Sequence, residues 1–111
     1  MLQRIEKITN PLIQHKLFDT VENAVETVTL HYVQRQVQKY GRLLRRLERK
    51  YQMKYSDFQD YTKKRAEKLL ADPSLHEEIV KLEDDAMDWK IANDGLYSWQ
   101  KVYQEILTCL R

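Results

Sequence analysis

Between residues 19 and 53 the apolar positions fall at Val21, Val25, Val28 and Tyr32. After a skip they resume at Val33, Val37, Tyr40, Leu44, Leu47 and Tyr51. Spacings of four and three residues put such side chains on one stripe of a helix. The pattern therefore predicts a single helix from Asp19 to about Met53, close to nine turns long at about 3.6 residues per turn. Its seam needs cover from other helices of the chain, from a second copy or from another protein. The polar side is one-signed: Arg35, Lys39, Arg42, Arg46 and Arg49 repeat at four, three, four and three, with Arg45 and Lys50 beside them and Glu48 opposing.

Upstream, Leu2, Ile5 and Ile8 sit three apart, which suits a helical turn, but the segment is also compatible with an N-terminal strand and is left open. Asn10-Pro11 reads as a helix start, because asparagine caps free amides and proline is pre-set for the first helical position. A short helix Leu12 to Phe18 follows. Asp19 with Glu22 reads as a capping box for the long helix. Gly41 inside that helix is either a weak spot costing about 1 kcal/mol relative to alanine or a place of close backbone approach.

Past Met53, Ser56 with Gln59 predicts a second capping box and a helix from Asp57 to about Ala71, with Phe58, Tyr61, Ala66 and Leu69 apolar. Asp72-Pro73 ends it, since the residue before proline is pushed out of helical geometry, and Ser74 with Glu77 opens the next helix. From Leu75 a stripe runs through Ile79, Leu82, Ala86, Trp89, Asn93, Leu96, Gln100, Tyr103, Leu107 and Leu110. It survives Asn93-Asp94-Gly95, so one long helix is favoured over a turn between two. The fold class is all-α and elongated: two long helices joined by a shorter one, after a short N-terminal helix.

With 111 residues, two glycines, two prolines and 32% charged side chains, the chain is read as a single domain, 1–111. Residues 1–53 form a dimerising and potentially DNA-binding part, and 54–111 a partner-binding part. The net charge of +2 conceals an asymmetry. Residues 1–62 hold 11 basic and 7 acidic side chains, and residues 63–111 hold 8 and 10. The lone Cys109 excludes an internal disulfide and suits a reducing compartment. The sequence has neither a membrane-length apolar run nor the apolar core of a signal peptide, and a cytoplasmic location is expected.

Little in the sequence points to catalysis. His15, His31 and His76 are dispersed, none four residues from another His or Cys, and no nucleophile has a base at useful spacing. Glu83, Asp84, Asp85 and Asp88 form a surface more readily than an acid–base pair. No enzyme activity, metal or cofactor is expected. Two faces remain. The stripe Arg35, Lys39, Arg42, Arg46 and Arg49 could meet phosphates or an acidic partner. In EDDAMDWK, Met87 and Trp89 stand among Asp84, Asp85 and Asp88, which suits anchoring a basic partner; Trp89 also belongs to the apolar stripe and can serve the core. Tyr97 and Trp99 extend this candidate set.

The order LFDTVENAVETVTLHYVQRQVQKY, LERKYQMKYSDFQDY, DDAMDWKIA resembles the small helical antitoxins of prokaryotic type II toxin–antitoxin modules. The matching residues are Phe18 to Glu22, Lys50 to Phe58 and Asp84 to Lys90, within residues 12 to 95. Gln52 stands where that pattern has glycine, and Asp85-Ala86-Met87 replaces Asp-Tyr-Met. The resemblance implies a neutraliser that binds its cognate toxin. The helix from Pro11 with the capped helix after it also looks like the ribbon-helix-helix unit of operator-binding antitoxins, though the second helix is much longer here. The expectation is an antitoxin covering a basic toxin, with Val33, Val37, Tyr40, Leu44, Leu47 and Tyr51 as an oligomer seam. The alternatives are a homo-oligomeric coiled-coil scaffold and a small nucleic-acid-binding helical protein.

Overall fold

The computed structural model describes residues 2–110. Four α-helices and one 3-10 turn follow one another: α1 (Leu2–Gln14), α2 (Val21–Tyr51), α3 (Tyr55–Leu70), the turn Pro73–Leu75, and α4 (His76–Cys109). No strand occurs among the described residues, and the segment from Leu2 to Ile8 left open between helix and strand is helical; Met1 lies outside them. No described helix is long and apolar enough to cross a membrane.

Helix α1 does not begin at Asn10-Pro11; it runs through them. Proline removes one backbone donor from the helix ladder, the one that would serve the Lys7 carbonyl, and here both Pro11 and Lys7 are on the exposed side. Inside, Thr9 is buried and its hydroxyl donates to the Ile5 carbonyl at 2.6 Å. Lys16 takes a left-handed conformation (φ 58°). Its amide donates to the Ile13 carbonyl and that of Leu17 to the Leu12 carbonyl, the paired bonds of a Schellman ending.

The helix starts are displaced from the predicted capping boxes. Thr20, not Asp19, caps α2, its hydroxyl accepting from the Asn23 amide at 3.0 Å. Helix α3 begins at Tyr55 after Lys54, which gives no side-chain cap, so Ser56 lies inside the helix. Ser74 does not cap the next helix: it lies in the 3-10 turn, where its amide and hydroxyl both donate to the Asp72 carboxylate, at 3.0 and 2.7 Å, and α4 starts after Leu75, which gives no side-chain cap. Helix α4 then continues unbroken through Asn93-Asp94-Gly95.

Helices α2 and α4 pack antiparallel, with Tyr51 near Asp85, Tyr40 near Gly95 and Gln34 near Tyr103. This contact answers what covers the long seam. Val33 and Leu47 are buried and Val37, Tyr40, Leu44 and Tyr51 partly buried, along α4 of the same chain. The stripe expected to join copies is thus closed internally. Helix α3 folds back on the first half of α4, and here the core is deepest: Leu47, Phe58, Leu69, Leu82 and Trp89, flanked by Leu43, Leu44, Tyr51, Met53 and Tyr55. Each such aliphatic or phenyl side chain contributes about 1.5–3 kcal/mol on full burial. Residues from both sides of position 53 build this cluster. Among the described residues helix α1 packs chiefly on α2, and the molecule extends to 65 × 27 × 24 Å. Its radius of gyration, 21.2 Å, compares with about 13 Å for a compact chain of this size.

Candidate protein-interaction site

The run EDDAMDWK lies on α4 where three helices meet, and helix geometry divides it. Trp89 points inward and is 0% exposed. Its ring centroid lies 4.5 Å from Phe58, 5.9 Å from Tyr51 and 5.9 Å from Tyr55. The indole N–H is buried without a hydrogen-bond partner. Of the two duties the sequence allows Trp89, core and anchor, the structure shows the core one: its position on the stripe that packs with Leu47 and Phe58 leaves no indole surface exposed.

Asp85 is also committed within the chain. Lys50 reaches its carboxylate at 2.6 Å and the Tyr51 hydroxyl donates to the same oxygen. Partial burial pushes the Asp85 carboxyl up, but the hydrogen bonds from Lys50 and Tyr51 and the charges of Lys50 and Arg46 outweigh it. The group is held below the ordinary carboxylate range. Burial first, then the bond to Asp85, pushes the Tyr51 phenol far above its usual value.

What remains outward is Asp84, Met87 and Asp88, all exposed, with Met87 at 66%. Two turns before Met87 stands Val80, 42% exposed, and one turn after it Ile91, 50% exposed. These three share a face because seven- and four-residue separations return to nearly the same side of a helix. Met87 also borders an open groove of about 570 Å³ between α3 and α4, whose lining includes Tyr55, Gln59, Lys63 and Lys90. Val80 and Ile91 escaped the sequence reading, though a second set of four-and-three spacings outside the main stripe was there to find. Tyr97 is exposed at 69%, apart from this face. Trp99 is half-buried and meets Tyr32 edge-on at 5.8 Å.

The basic stripe lies on the side of α2 turned away from the seam, and Arg35, Lys39, Arg42, Arg46 and Arg49 are all exposed. From first to last it covers about 21 Å of helix at about 1.5 Å per residue. The ion pairs among the described residues are Lys50–Asp85, Lys54–Glu48 and Arg65–Glu78, none of which uses a stripe residue. His15, His31 and His76 are exposed, and no group of three or more His, Cys, Asp or Glu converges as metal ligands would among the described residues.

The chain thus carries a mixed acidic and apolar face on α4 and a basic face on α2. Compared with known proteins, it matches no family model, no curated protein and no solved structure.

Proposed function

We propose that this chain is a non-enzymatic binding protein of the antitoxin kind, which holds a basic cognate toxin on the outer face of α4. The observation that carries the reading is the row Val80, Met87 and Ile91, exposed alongside Asp84 and Asp88. Large apolar side chains beside like charges form a poor solvated face. They suit a partner that buries the apolar groups while its cations meet the carboxylates, which also speed encounter. The junction after α2 gives further support. Gln52, which stands where the antitoxin pattern has glycine, adopts a left-handed conformation (φ 54°, ψ 42°) that glycine favours, so the backbone fits the pattern even where the side chain departs from it.

A second reading concerns nucleic acid. Five exposed cations on one helical face, none of them in an ion pair among the described residues, are suited to phosphates, and this would serve autoregulation of an operon. An exposed free thiol, Cys109, is in keeping with the reducing cytoplasm. The direct test is co-expression with the product of the adjacent gene. Co-purification in a salt-sensitive complex, lost on Met87→Glu with Ile91→Glu, is expected. Independent purification of both proteins under low salt would refute the reading.

A further inference from the structure

The outer side of α2 has a composition that neither the core nor the α4 face uses. Every exposed residue from 34 to 50 is arginine, lysine or glutamine. Arg45 joins the stripe of Arg35, Lys39, Arg42, Arg46 and Arg49. At about 100° per residue these six cations fall within about a third of the helix circumference, opposite the seam. The one acidic residue of the stretch, Glu48, is half-buried and pairs with Lys54. Lys50 is tied to Asp85, and the six cations take part in none of the ion pairs among the described residues.

We infer that this face lies along the phosphate backbone of duplex DNA and holds it independently of base sequence. The inference rests on the nucleic-acid reading of α2 and owes nothing to the α4 face. Charge calls for a polyanion, and the rest of the surface says which. Protein interfaces bury an apolar core from which charged residues are depleted, yet no apolar side chain is exposed between 34 and 50, so an acidic protein would find nothing to bury. Single strands are held by stacking their bases on aromatic side chains, but Tyr40 and Tyr51 are partly buried in the seam. Duplex RNA is recognised largely through its 2′-hydroxyls, for which this face offers glutamine as its one acceptor. Duplex DNA asks only for cations and amides at its phosphates, and it presents one charge per about 1.7 Å of axis to the stripe. Sequence independence follows from where the cations sit. Helix-turn-helix recognition helices read bases with their N-terminal residues; that end of α2 is occupied by α1, which packs about the fully buried Ala24. The cations begin near the middle of α2, where contacts to phosphates carry no sequence information.

Fluorescence anisotropy of the full chain with a labelled duplex of about 20 bp, two helical turns, tests this. Micromolar binding is expected at about 50 mM salt, equal for two unrelated sequences, with log K falling against log salt at a slope of about −4 to −5. Arg42→Gln with Arg46→Gln and Arg49→Gln should make that slope shallower by about three and weaken binding about 100-fold or more, with the circular dichroism spectrum unchanged. Met87→Glu with Ile91→Glu should leave DNA binding intact, which separates a failure here from a failure of the α4 reading. Absence of binding at about 50 mM salt would overturn the inference, as would indifference to the triple variant. A preference between the two sequences would overturn it too, and so would tighter binding of single-stranded DNA, duplex RNA or poly-glutamate.

Discussion

The ring of Tyr40 on α2 lies directly over the backbone of Gly95 on α4: a Cβ placed on Gly95 would come within 2.8 Å of the Tyr40 Cδ1 atom. Gly95 therefore permits the approach of the two long helices, whereas Gly41 does not serve that purpose. A Cβ there meets the flexible end of Arg45, at 3.3 Å. Gly95→Ala should destabilise the fold by about 1–3 kcal/mol through overpacking, despite the better helix propensity of alanine. Gly41→Ala should be neutral or stabilising by up to about 1 kcal/mol. Urea denaturation of the two variants side by side checks this, and a loss at Gly41 equal to that at Gly95 would contradict it.

Trp89 should behave as core. Trp89→Ala is expected to cost about 3–5 kcal/mol, as removal of a buried aromatic does. Trp89→Phe should cost much less than this, because the indole N–H it removes is buried without a partner and its desolvation is relieved. Chemical denaturation separates the two. Equal losses would mean that the N–H has a bonding partner after all.

Gln52 and Lys16 are the two described non-glycine residues with positive φ. A left-handed conformation costs an L residue roughly 1–2 kcal/mol, part of which glycine recovers at a helix end. Gln52→Gly should raise the melting temperature. A lowered one would show that the Gln52 side chain has a stabilising contact which outweighs its backbone.

The link among Lys50, Tyr51 and Asp85 gives stability a pH dependence with a fixed sign. The Asp85 carboxyl is depressed in the fold, so the unfolded chain takes up the proton first. Its contribution is present above about pH 4 and is lost as the pH falls through the lower folded value. The Tyr51 phenol is raised, so its contribution is present below about pH 10 and is lost as the pH rises beyond that. Melting curves should show Asp85→Asn flattening the acid limb and Tyr51→Phe flattening the alkaline limb, each at a cost of about 1–2 kcal/mol at neutral pH. Unchanged limbs would dissociate these groups from the pH response.

Periodicity made the long elements legible: the run from Val21 to Tyr51, the helix containing Phe58 and Leu69, and the continuity of α4 through Asn93-Asp94-Gly95 were all readable as apolar stripes. Starts were less so, because Asp19, Thr20 and Ser56 are all competent caps and only the tertiary register selects among them. Pro11 misled because a proline on the exposed side, which costs only the amide hydrogen bond to the Lys7 carbonyl, can sit inside a helix whose buried side packs through Thr9. The identity of the seam's cover was invisible, since a stripe of valines, leucines and tyrosines fits an intramolecular helix as well as a second copy. The site was half legible. The EDDAMDWK run was found, but the inward turn of Trp89 and Asp85 and the outward row of Val80, Met87 and Ile91 depend on where α2 and α3 pack.

Titration calorimetry of the adjacent gene's product against the wild type and two variants tests the central claim, that binding uses the outer face of α4. Met87→Glu with Ile91→Glu should weaken binding about 30-fold or more, with the circular dichroism spectrum unchanged. Neutralising Arg42, Arg46 and Arg49 should leave it intact. Binding that survives the first variant and disappears in the second would contradict the account and place the partner on the basic stripe of α2.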